Sequence, residues 1–251
     1  MWNQTHIGKR SFEVFVMLIF MFFHSVIQAQ PSSQDPLERT NRLVFSFNEA
    51  VDKTVTKPAA TLYNKVIPRP LNHGIHNIFN NFWTVTTIAN DMLQLHLYQM
   101  MHDTWRFAIN TTVGVGGFFD VADRIGLKPY TNDFGLTLAR WGWQKSTYVV
   151  WPFFGPSSIR DGIRLPVDYY LSIYPFISPV RVRYGIYGLD VLDRRAQLLK
   201  FQPIFEEAAL DKYVFMRDAY SQRRQYQISE NLKMGFLYQR ENGIEAKSVE
   251  I

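Results

Sequence analysis

The spacing of its apolar residues constrains this chain more than any other feature of its sequence. Between residues 71 and 108, Ile75, Ile78, Phe79 and Phe82 recur at intervals of three and four, the spacing of one helix face. The segment TVTTIAND, in the middle of this stretch, is rich in threonine and predicts a break. Because strand-like alternation is scarce along the whole chain, we predict an all-α fold.

Two further segments carry clear signals for the start of a helix. Asp35 suits the N-cap, Pro36 suits the first helical position, and Glu38 follows three residues after the cap. Ser158 and Asp161 repeat the spacing of a capping box. We therefore predict amphipathic helices that begin near residues 35 and 158.

The segment 130–156 differs from the rest of the chain because it combines glycine and proline with many aromatic residues. A loop, a hairpin and broken helices are all compatible with this composition. Its crowded aromatic residues are Trp141, Trp143, Tyr148, Trp151, Phe153 and Phe154.

The N-terminus has the pattern of an export signal. Lys9 and Arg10 precede an apolar run over 14–23, and small residues lead up to Ala29. We predict a secretory signal over 1–29, cut after Ala29, and a linker over 30–34. An uncleaved anchor is the alternative, although the run is short for a membrane span of about 20 residues. At the other end, 229–251 is polar and is expected to be disordered.

Charge and composition restrict the classes of function. The net charge is +5 and the pI is about 9.3, a balance that suits the phosphates of lipids or of nucleic acid. An exported protein does not ordinarily meet nucleic acid, ATP or NAD. The chain has no cysteine, which excludes disulfides, thiolate metal sites and catalytic thiols.

The stretch INTTVGVGGFFDVA over 109–122 resembles a nucleotide-binding loop only at first sight. Phe119 occupies the third glycine position of a dinucleotide fingerprint, and no lysine follows as a P-loop requires. We interpret the glycines as a backbone bend where helices crowd together, with structural hydrogen bonds nearby. The residues assigned to this bend are Asn110, Gly114, Gly116, Gly117 and Asp120.

No motif for catalysis or for metal binding is present. His73 and His76 are three residues apart but lack the HExxH pattern and an acidic cluster nearby. The serines in GPSSIRDG do not form a nucleophile elbow, so helix capping is the simpler role. We predict no catalytic site, no metal and no cofactor.

Arginines in the second half of the chain are candidates for contact with a membrane. They lie beside tyrosine and phenylalanine, a combination that suits a bilayer surface or a lipid phosphate. A solvated helical face explains them equally well. The candidates are Arg181, Arg183, Arg217, Arg223 and Arg224.

Six segments in one order give the chain a family resemblance. They are DPLERTNRLVFSFN, RFAINTTVGVGGFFDVA, DFGLTLARWG, WPFFGPSSIRDG, LDRRAQLL and ALDKYVFMRDAYSQRR. Together they closely resemble the MlaA/VacJ family of outer-membrane lipoproteins, from Asp35 to Arg224. On this basis residues 35–228 are assigned to one MlaA-like helical domain.

The resemblance implies a transport protein and not an enzyme. Members of this family are ring-like helical proteins that lie in the inner leaflet of the Gram-negative outer membrane and enclose a polar central channel. They remove phospholipids that have strayed to the outer leaflet and pass them to a soluble periplasmic carrier, and they associate with trimeric porins. The family motif FSFN places Phe47 and Asn48 near the lipid path.

The chain departs from the family pattern at one point. A lipoprotein needs a cysteine just after the apolar run, and this sequence has none. We expect the amphipathic helices and a porin partner to hold it at the membrane, and the alternative is that the apolar N-terminus stays as an anchor. A different function also stays open, that of a soluble periplasmic lipid-binding or adaptor protein.

Overall fold

A computed structural model describes residues 35–208 and 210–241 of the chain. The expected signal over 1–29, the linker over 30–34 and the last part of the expected tail, 242–251, lie outside the described residues.

Helices dominate the described residues, which confirms the predicted helical class. They are α1 (Glu38–Val51), α2 (Lys57–Val66), α3 (Arg69–Leu93), α4 (Leu97–Thr112), α5 (Val121–Arg124), α6 (Phe134–Arg140), α7 (Ile159–Leu171), α8 (Val180–Leu198), α9 (Gln202–Ala208) and α10 (Lys212–Glu241). A π-helical turn, Asp52–Thr56, joins α1 to α2, and short 3-10 turns lie at Tyr174–Phe176 and Leu199–Phe201. No helix among the residues described combines the length and the apolar character that crossing a bilayer requires.

The Gly- and aromatic-rich segment contains a short helix, α6, followed by a β-hairpin. Strands β1 (Tyr148–Trp151) and β2 (Gly155–Ser158) pair antiparallel, with Tyr148 opposite Ser158 and Trp151 opposite Gly155. Of the three conformations compatible with this segment, the hairpin is therefore the one that the structure shows for 148–158.

Local capping signals are reproduced with one difference. Ser158 Oγ accepts a hydrogen bond from the Asp161 backbone at 3.2 Å, as the capping-box spacing predicts. Helix α1, however, begins at Glu38, later than the Asp35 signal indicates. Asp35 is fully buried, and its carboxylate accepts hydrogen bonds from Asn41 and from the Tyr213 hydroxyl. The Asp35 side chain, expected to cap α1, therefore takes part in long-range packing instead.

The predicted break within TVTTIAND is wrong, because α3 runs without interruption from Arg69 to Leu93. Threonine and asparagine are only weakly unfavourable in helices, and tertiary contacts readily override that preference. Here Thr86, Thr87, Asn90 and Asp91 are buried and point to polar partners in the interior. The polar residues are therefore the inner face of the helix and not a breaker.

The expectation of disorder after residue 228 is also wrong for the described part of the tail, since α10 continues to Glu241. Asn231 is buried, and its side chain donates to the Tyr130 hydroxyl at 3.1 Å. Its backbone carbonyl accepts a hydrogen bond from Arg140 at 3.1 Å. These contacts attach the helix to α6 and to the loop before it.

Candidate functional site

The interior of the described protein is polar, and much of its surface is apolar. Among the residues that the structure describes, 25 polar or charged residues are buried, against 13 apolar ones. On the outside, 35 large apolar residues are exposed. Single exposed apolar residues are normal in water, but extended apolar surfaces mark contact with a membrane, a ligand or a partner.

Helix α4 shows this inversion most clearly. Leu97, Met101 and Trp105 are spaced by four residues on one face and are 54%, 52% and 59% exposed. The opposite face is polar and buried, and consists of Asp103, Arg106 and Asn110. A helix on the surface of a water-soluble protein has the reverse orientation. The packing of α4 therefore suits an apolar environment outside and a polar one inside.

Arg224 lies at the centre of a buried ion cluster. Its Nη2 atom donates to Asp133 Oδ1 and to Asp161 Oδ1, both at 2.7 Å, and its Nη1 atom donates to Asp133 Oδ2 at 2.8 Å. Arg160 in turn donates to both carboxylate oxygens of Asp161, at 3.0 and 3.2 Å. The cluster connects α7 and α10 to Asp133, which caps α6.

The ion pairing in this cluster outweighs the cost of burial. Burial alone would raise the pKa of Asp161 and of Asp133, but hydrogen bonds from Arg160 and Arg224 hold the pKa of both carboxyls below its usual value. Burial likewise disfavours the charged form of Arg224, yet the Asp133 carboxylate raises the pKa of the guanidinium above normal. Asp133, Asp161 and Arg224 therefore stay charged at neutral pH.

This position corrects the sequence prediction for Arg224. We expect from the sequence that it reaches a membrane surface or a lipid phosphate, but its side chain is buried and bonded to two aspartates. The acidic partners lie more than 60 residues away in sequence, so they gave no local signal.

The other candidate arginines lie on two different helices. Arg181 and Arg223 are exposed at α8 and α10. Arg183 donates to the Ile177 carbonyl at 3.1 Å, and Arg217 is largely buried and paired with Asp218 at 2.9 Å. Contact of these four with a lipid headgroup stays a prediction.

A network of amides and hydroxyls continues the polar interior beside the ion cluster. Asn132 donates to Asp91 at 2.7 Å, and its own carbonyl accepts from Gln94 at 2.9 Å. Gln94 also donates to the Thr137 hydroxyl at 2.8 Å, and Thr137 donates to Asn90 at 2.8 Å. Hydrogen bonds between polar side chains therefore join the C-terminal end of α3 to the start of α6.

Several buried polar atoms of this region have no hydrogen-bond partner among the described residues. They are Asp91 Oδ2, Gln94 Oε1, Asn231 Oδ1 and both ring nitrogens of His96. Buried polar atoms in folded proteins bind water or a ligand when no protein group reaches them. This part of the interior is therefore suited to hold polar molecules.

Burial also changes the protonation of this region. It raises the pKa of the Asp91 carboxyl to about 8, and the neighbouring Asp103 carboxylate adds to the effect. It lowers the pKa of the His96 imidazole to about 4, with a smaller contribution from the charge of Arg140. At neutral pH, Asp91 therefore carries a proton and His96 is uncharged.

The protonation of Asp91 predicts a pH-dependent stability. In the unfolded chain its pKa is about 3.9, whereas the folded value is about 8. Its stabilising contribution is complete below about pH 4 and is lost as the pH rises towards about 8, by up to about 1.4 kcal/mol per pH unit. Asp91→Asn keeps the neutral form, so the variant should gain stability over the wild type as the pH rises from about 6 to about 8.

Chemical unfolding of the purified full chain in detergent, followed by helical circular dichroism at several pH values, measures this difference. Parallel pH profiles for the wild type and Asp91→Asn would show that Asp91 is ionised in the folded protein and would contradict the prediction.

Phe47 and Asn48, the candidates for the lipid path, belong to α1 and contact the turn of the β-hairpin. Asn48 donates through Nδ2 to the Trp151 carbonyl at 2.9 Å and accepts through Oδ1 from the Phe153 amide at 2.8 Å. The Phe47 ring meets the Phe153 ring edge-on, with centroids 5.3 Å apart. The motif therefore fixes the hairpin turn, where Phe153 and Phe154 are 68% and 63% exposed.

This turn contains backbone strain. Phe153 has a φ of 66°, in the left-handed region that costs a residue other than glycine about 1 kcal/mol or more. The hydrogen bond that its amide makes to Asn48 holds it in that conformation. Asn48 thus acts on the position of an exposed aromatic loop.

The glycine stretch forms a tight turn between α4 and α5. Gly116 and Gly117 have φ values of 69° and 93°, which favour glycine. A side chain at Gly117 would meet Asn81 of α3 at 2.7 Å, and one at Gly114 would overlap the carbonyl oxygens of Asn110 and Phe119. Both close packing and positive φ therefore account for glycine here.

Asn110 and Asp120 connect the two sides of this turn. The Asn110 amide donates to Asp120 at 3.0 Å, and its oxygen accepts from the Ala122 amide at 2.9 Å. Arg106 donates to both oxygens of Asp120, at 3.3 and 3.1 Å, and the Asp120 side chain caps α5. The structure thus places both residues in structural hydrogen bonds at the bend.

His73 and His76, the two histidines three residues apart, have different surroundings in the structure. His76 contacts the buried Asp193 through Nδ1 at 2.7 Å, while His73 is exposed. Within 35–208 and 210–241, no group of three histidine, aspartate or glutamate side chains is arranged to hold a metal ion.

Sequence reasoning did not identify the residues of the polar interior. Asp91, Asn132, Thr137 and Asn231 come together from α3, the loop before α6, α6 itself and α10, and no motif links them. One signal was present, because four polar residues of TVTTIAND lie on the inner side of α3. The threonine content of this segment predicts a break instead, which conceals the signal.

The chain is similar in sequence to a known family and to named proteins. The family model for the MlaA lipoprotein matches residues 33–227. The chain is similar to the intermembrane phospholipid transport system lipoprotein MlaA of Escherichia coli (strain K12), with 33% identity over 205 residues, or 78% of this chain and 79% of that protein. It is also similar to the uncharacterized protein RP093 of Rickettsia prowazekii (strain Madrid E), with 33% identity over 203 residues, or 79% of this chain and 80% of that protein.

A solved structure shares the fold. It was reported as the structural basis for maintenance of bacterial outer membrane lipid asymmetry. It matches with a TM-score of 0.67 and 29% identity, over 77% of this chain and 98% of that one. The agreement covers nearly all of the solved chain, so the arrangement of helices described above is common to both.

Proposed function

The chain belongs to the MlaA lipoprotein family, and we propose that it removes mislocalised phospholipids from the outer leaflet of the outer membrane and passes them to a periplasmic carrier. It thereby maintains the lipid asymmetry of the Gram-negative envelope. We propose a transport component and not an enzyme, with phospholipid as its cargo.

The observation that carries this proposal is the inverted polarity of the fold. Exposed apolar faces such as Leu97, Met101 and Trp105 suit contact with acyl chains. The headgroup of a phospholipid crosses hydrocarbon only at high cost, so its transfer needs a polar path. The buried amides, hydroxyls and ion pairs of α3, α6, α7 and α10 supply polar groups in the interior.

From these two features together with the family resemblance, we infer a ring-like arrangement around a polar channel, held in the inner leaflet of the outer membrane. The apolar helix faces would rest among the acyl chains, with the aromatic hairpin at their edge. On the family resemblance we propose two partners, a trimeric porin for support and a soluble periplasmic lipid carrier that receives the lipid.

Removal of the chain tests the function directly. In cells that lack it, phospholipid in the outer leaflet should rise, which an impermeant amine reagent detects by labelling phosphatidylethanolamine from outside. Expression of the full chain should restore the low level. Unchanged labelling in the two strains would contradict the proposal. Release of the protein from membranes by a carbonate wash would instead favour a soluble periplasmic lipid-binding or adaptor protein.

Phe47 and Asn48 give a sharper test of the lipid path. The double variant Phe47→Ala/Asn48→Ala removes both hydrogen bonds to the hairpin turn and the ring contact with Phe153. We expect a folded protein that restores asymmetry poorly, because the aromatic turn is no longer held in place. The same labelling of outer-leaflet lipid measures the effect.

Ser46→Ala is the matched control on the same helix. Ser46 is exposed, and within the described part of the chain its hydroxyl bonds only to the Arg42 carbonyl, at 2.9 Å, inside α1. This variant should restore asymmetry fully. Equal restoration by the double variant, at equal protein level, would show that Phe47 and Asn48 do not act on lipid transfer.

A further inference from the structure

A basic groove lies on the outer side of the π-helical turn and α2, away from the polar interior. It has a volume of about 380 Å³. Its lining consists of Lys53, Lys57, Pro58, Thr61, Leu62 and Lys65. Lys53, Lys57, Thr61 and Lys65 follow one another at intervals of four residues, which keeps them on one side of the helix.

The positive charge of this groove is largely unneutralised. Among the described residues, Lys53 and Lys65 have no ion-pair partner, and Lys57 has only a long contact of 3.7 Å with the exposed Glu206. The nearest acidic residues of the preceding turn are engaged elsewhere. Asp52 binds Arg195 at 2.7 Å, and Glu49 binds Lys212 at 2.8 Å.

Apolar side chains border the same lysines. Val55, Leu62 and Val66 are 62%, 61% and 69% exposed. Aliphatic side chains and lysines side by side on a helix suit a membrane interface, because the lysines extend to the phosphates while the aliphatic groups enter the acyl region. A π-helical turn at the start of the groove is a second sign, since such turns are frequent at functional sites.

We propose that this groove binds the headgroup phosphate of an anionic glycerophospholipid in the bilayer, with Lys53, Lys57 and Lys65 around the phosphate and Leu62 against the glycerol and upper acyl chain. The inference rests on the proposed function, because only a chain at a membrane meets this ligand. It goes beyond that function by naming a lipid site outside the transport path.

The absence of cysteine from the sequence makes a single label possible. Val66→Cys, next to the groove and exposed, is labelled in the full-length protein with an environment-sensitive fluorophore. We expect a blue shift with vesicles that mix phosphatidylglycerol and phosphatidylcholine, and little shift with phosphatidylcholine alone. An equal response to both kinds of vesicle would overturn the proposal.

Charge removal then tests the three lysines. Lys53→Gln/Lys57→Gln/Lys65→Gln should weaken partitioning to the anionic vesicles about 100-fold, since each lysine near an anionic surface contributes about 5-fold. Lys128→Gln/Lys145→Gln/Lys233→Gln removes the same charge elsewhere on the surface and should weaken it only a few-fold. An equal loss of partitioning in the two variants would mean that net charge alone attracts the protein to the vesicles, and it would overturn the proposed lipid site.

Other anions are tested with the same label. Inorganic phosphate or polyglutamate, each at matched ionic strength, should leave the fluorescence unchanged. A response to either one, without a response to the anionic vesicles, would assign the groove to a soluble anion or an acidic protein and overturn the proposal.

The lipid-labelling assay in cells separates this inference from the proposed function. If the full chain restores asymmetry but its label shows no blue shift with phosphatidylglycerol vesicles, the proposed lipid binding at the groove is wrong and the proposed function stands. If the label shows a blue shift that the triple lysine variant loses, but asymmetry is not restored, the lipid binding at the groove stands and the proposed function is wrong.

Discussion

Replacing Arg224 with methionine should lower the free energy of unfolding by about 3 to 5 kcal/mol, because it leaves two carboxylates without their shared cation. Asp133 and Asp161 both lie within 2.7 Å of Arg224 Nη2. After the substitution, Asp161 keeps its bonds to Arg160. Asp133 keeps the hydrogen bond from the Leu136 backbone amide at 2.9 Å, but its pairing with a cation is reduced to the 3.4 Å contact with Arg164. Methionine fills most of the volume of the arginine side chain, so the loss of stability comes from the missing charge and not from a cavity.

Chemical unfolding in detergent, followed by circular dichroism, measures this change. Arg223→Met is the matched control, because Arg223 is the adjacent residue of α10 and is exposed. Its effect should stay within about 0.5 kcal/mol, as for most surface substitutions. If the two variants were equally stable, the Arg224 cluster would not hold α6, α7 and α10 together.

Gly135→Ala should destabilise the same cluster by about 3 kcal/mol without removing any of its charges. Gly135 is buried in α6, directly beneath the ion pairs. A methyl group there would overlap Asp161 Oδ1 and Arg224 Nη2, and it would lie 3.1 Å from Asp133 Oδ1. Because Arg224 and Asp161 are packed on several sides, neither can move without losing part of the network.

Gly185→Ala and Gly188→Ala supply the comparison. Both glycines lie in α8 with open space around the position that a side chain would take. Alanine there should raise stability by about 0.5 to 1 kcal/mol through its better helix propensity. A neutral or stabilising effect of Gly135→Ala in the same unfolding measurement would mean that the cluster is loosely packed around this residue.

Short-range signals were sufficient to predict the class of the fold and several of its local features. Apolar periodicity predicted helices, and Ser158 with Asp161 predicted the start of α7. Gly116 and Gly117 indicated a bend because their backbone conformation excludes most other residues. In each of these cases the physical cause acts over a few residues, so one segment contains it completely.

Long-range pairing accounts for what the sequence could not show. Asn48 bonds to Trp151, 103 residues away, and Arg224 bonds to Asp133, 91 residues away. Neither pair follows from spacing or composition.

The direction in which the polar face of each helix points could not be predicted from the sequence either. Periodicity shows that a helix such as α4 has an apolar and a polar face, but not which of them points inward. In water the apolar face is buried, and that rule would place the polar residues of α3 and Arg224 at the surface. In this protein both are buried.

The polar interior has a thermodynamic consequence for the whole molecule. The heat capacity of unfolding rises with the apolar surface that becomes hydrated and falls with the polar surface. Here many large apolar side chains are already outside in the folded state, and most of the fully enclosed side chains are polar. Unfolding should therefore change the heat capacity less than in a water-soluble protein of equal length. The stability curve then becomes broad and flat, so that warming or cooling by a few tens of degrees alters the fold little.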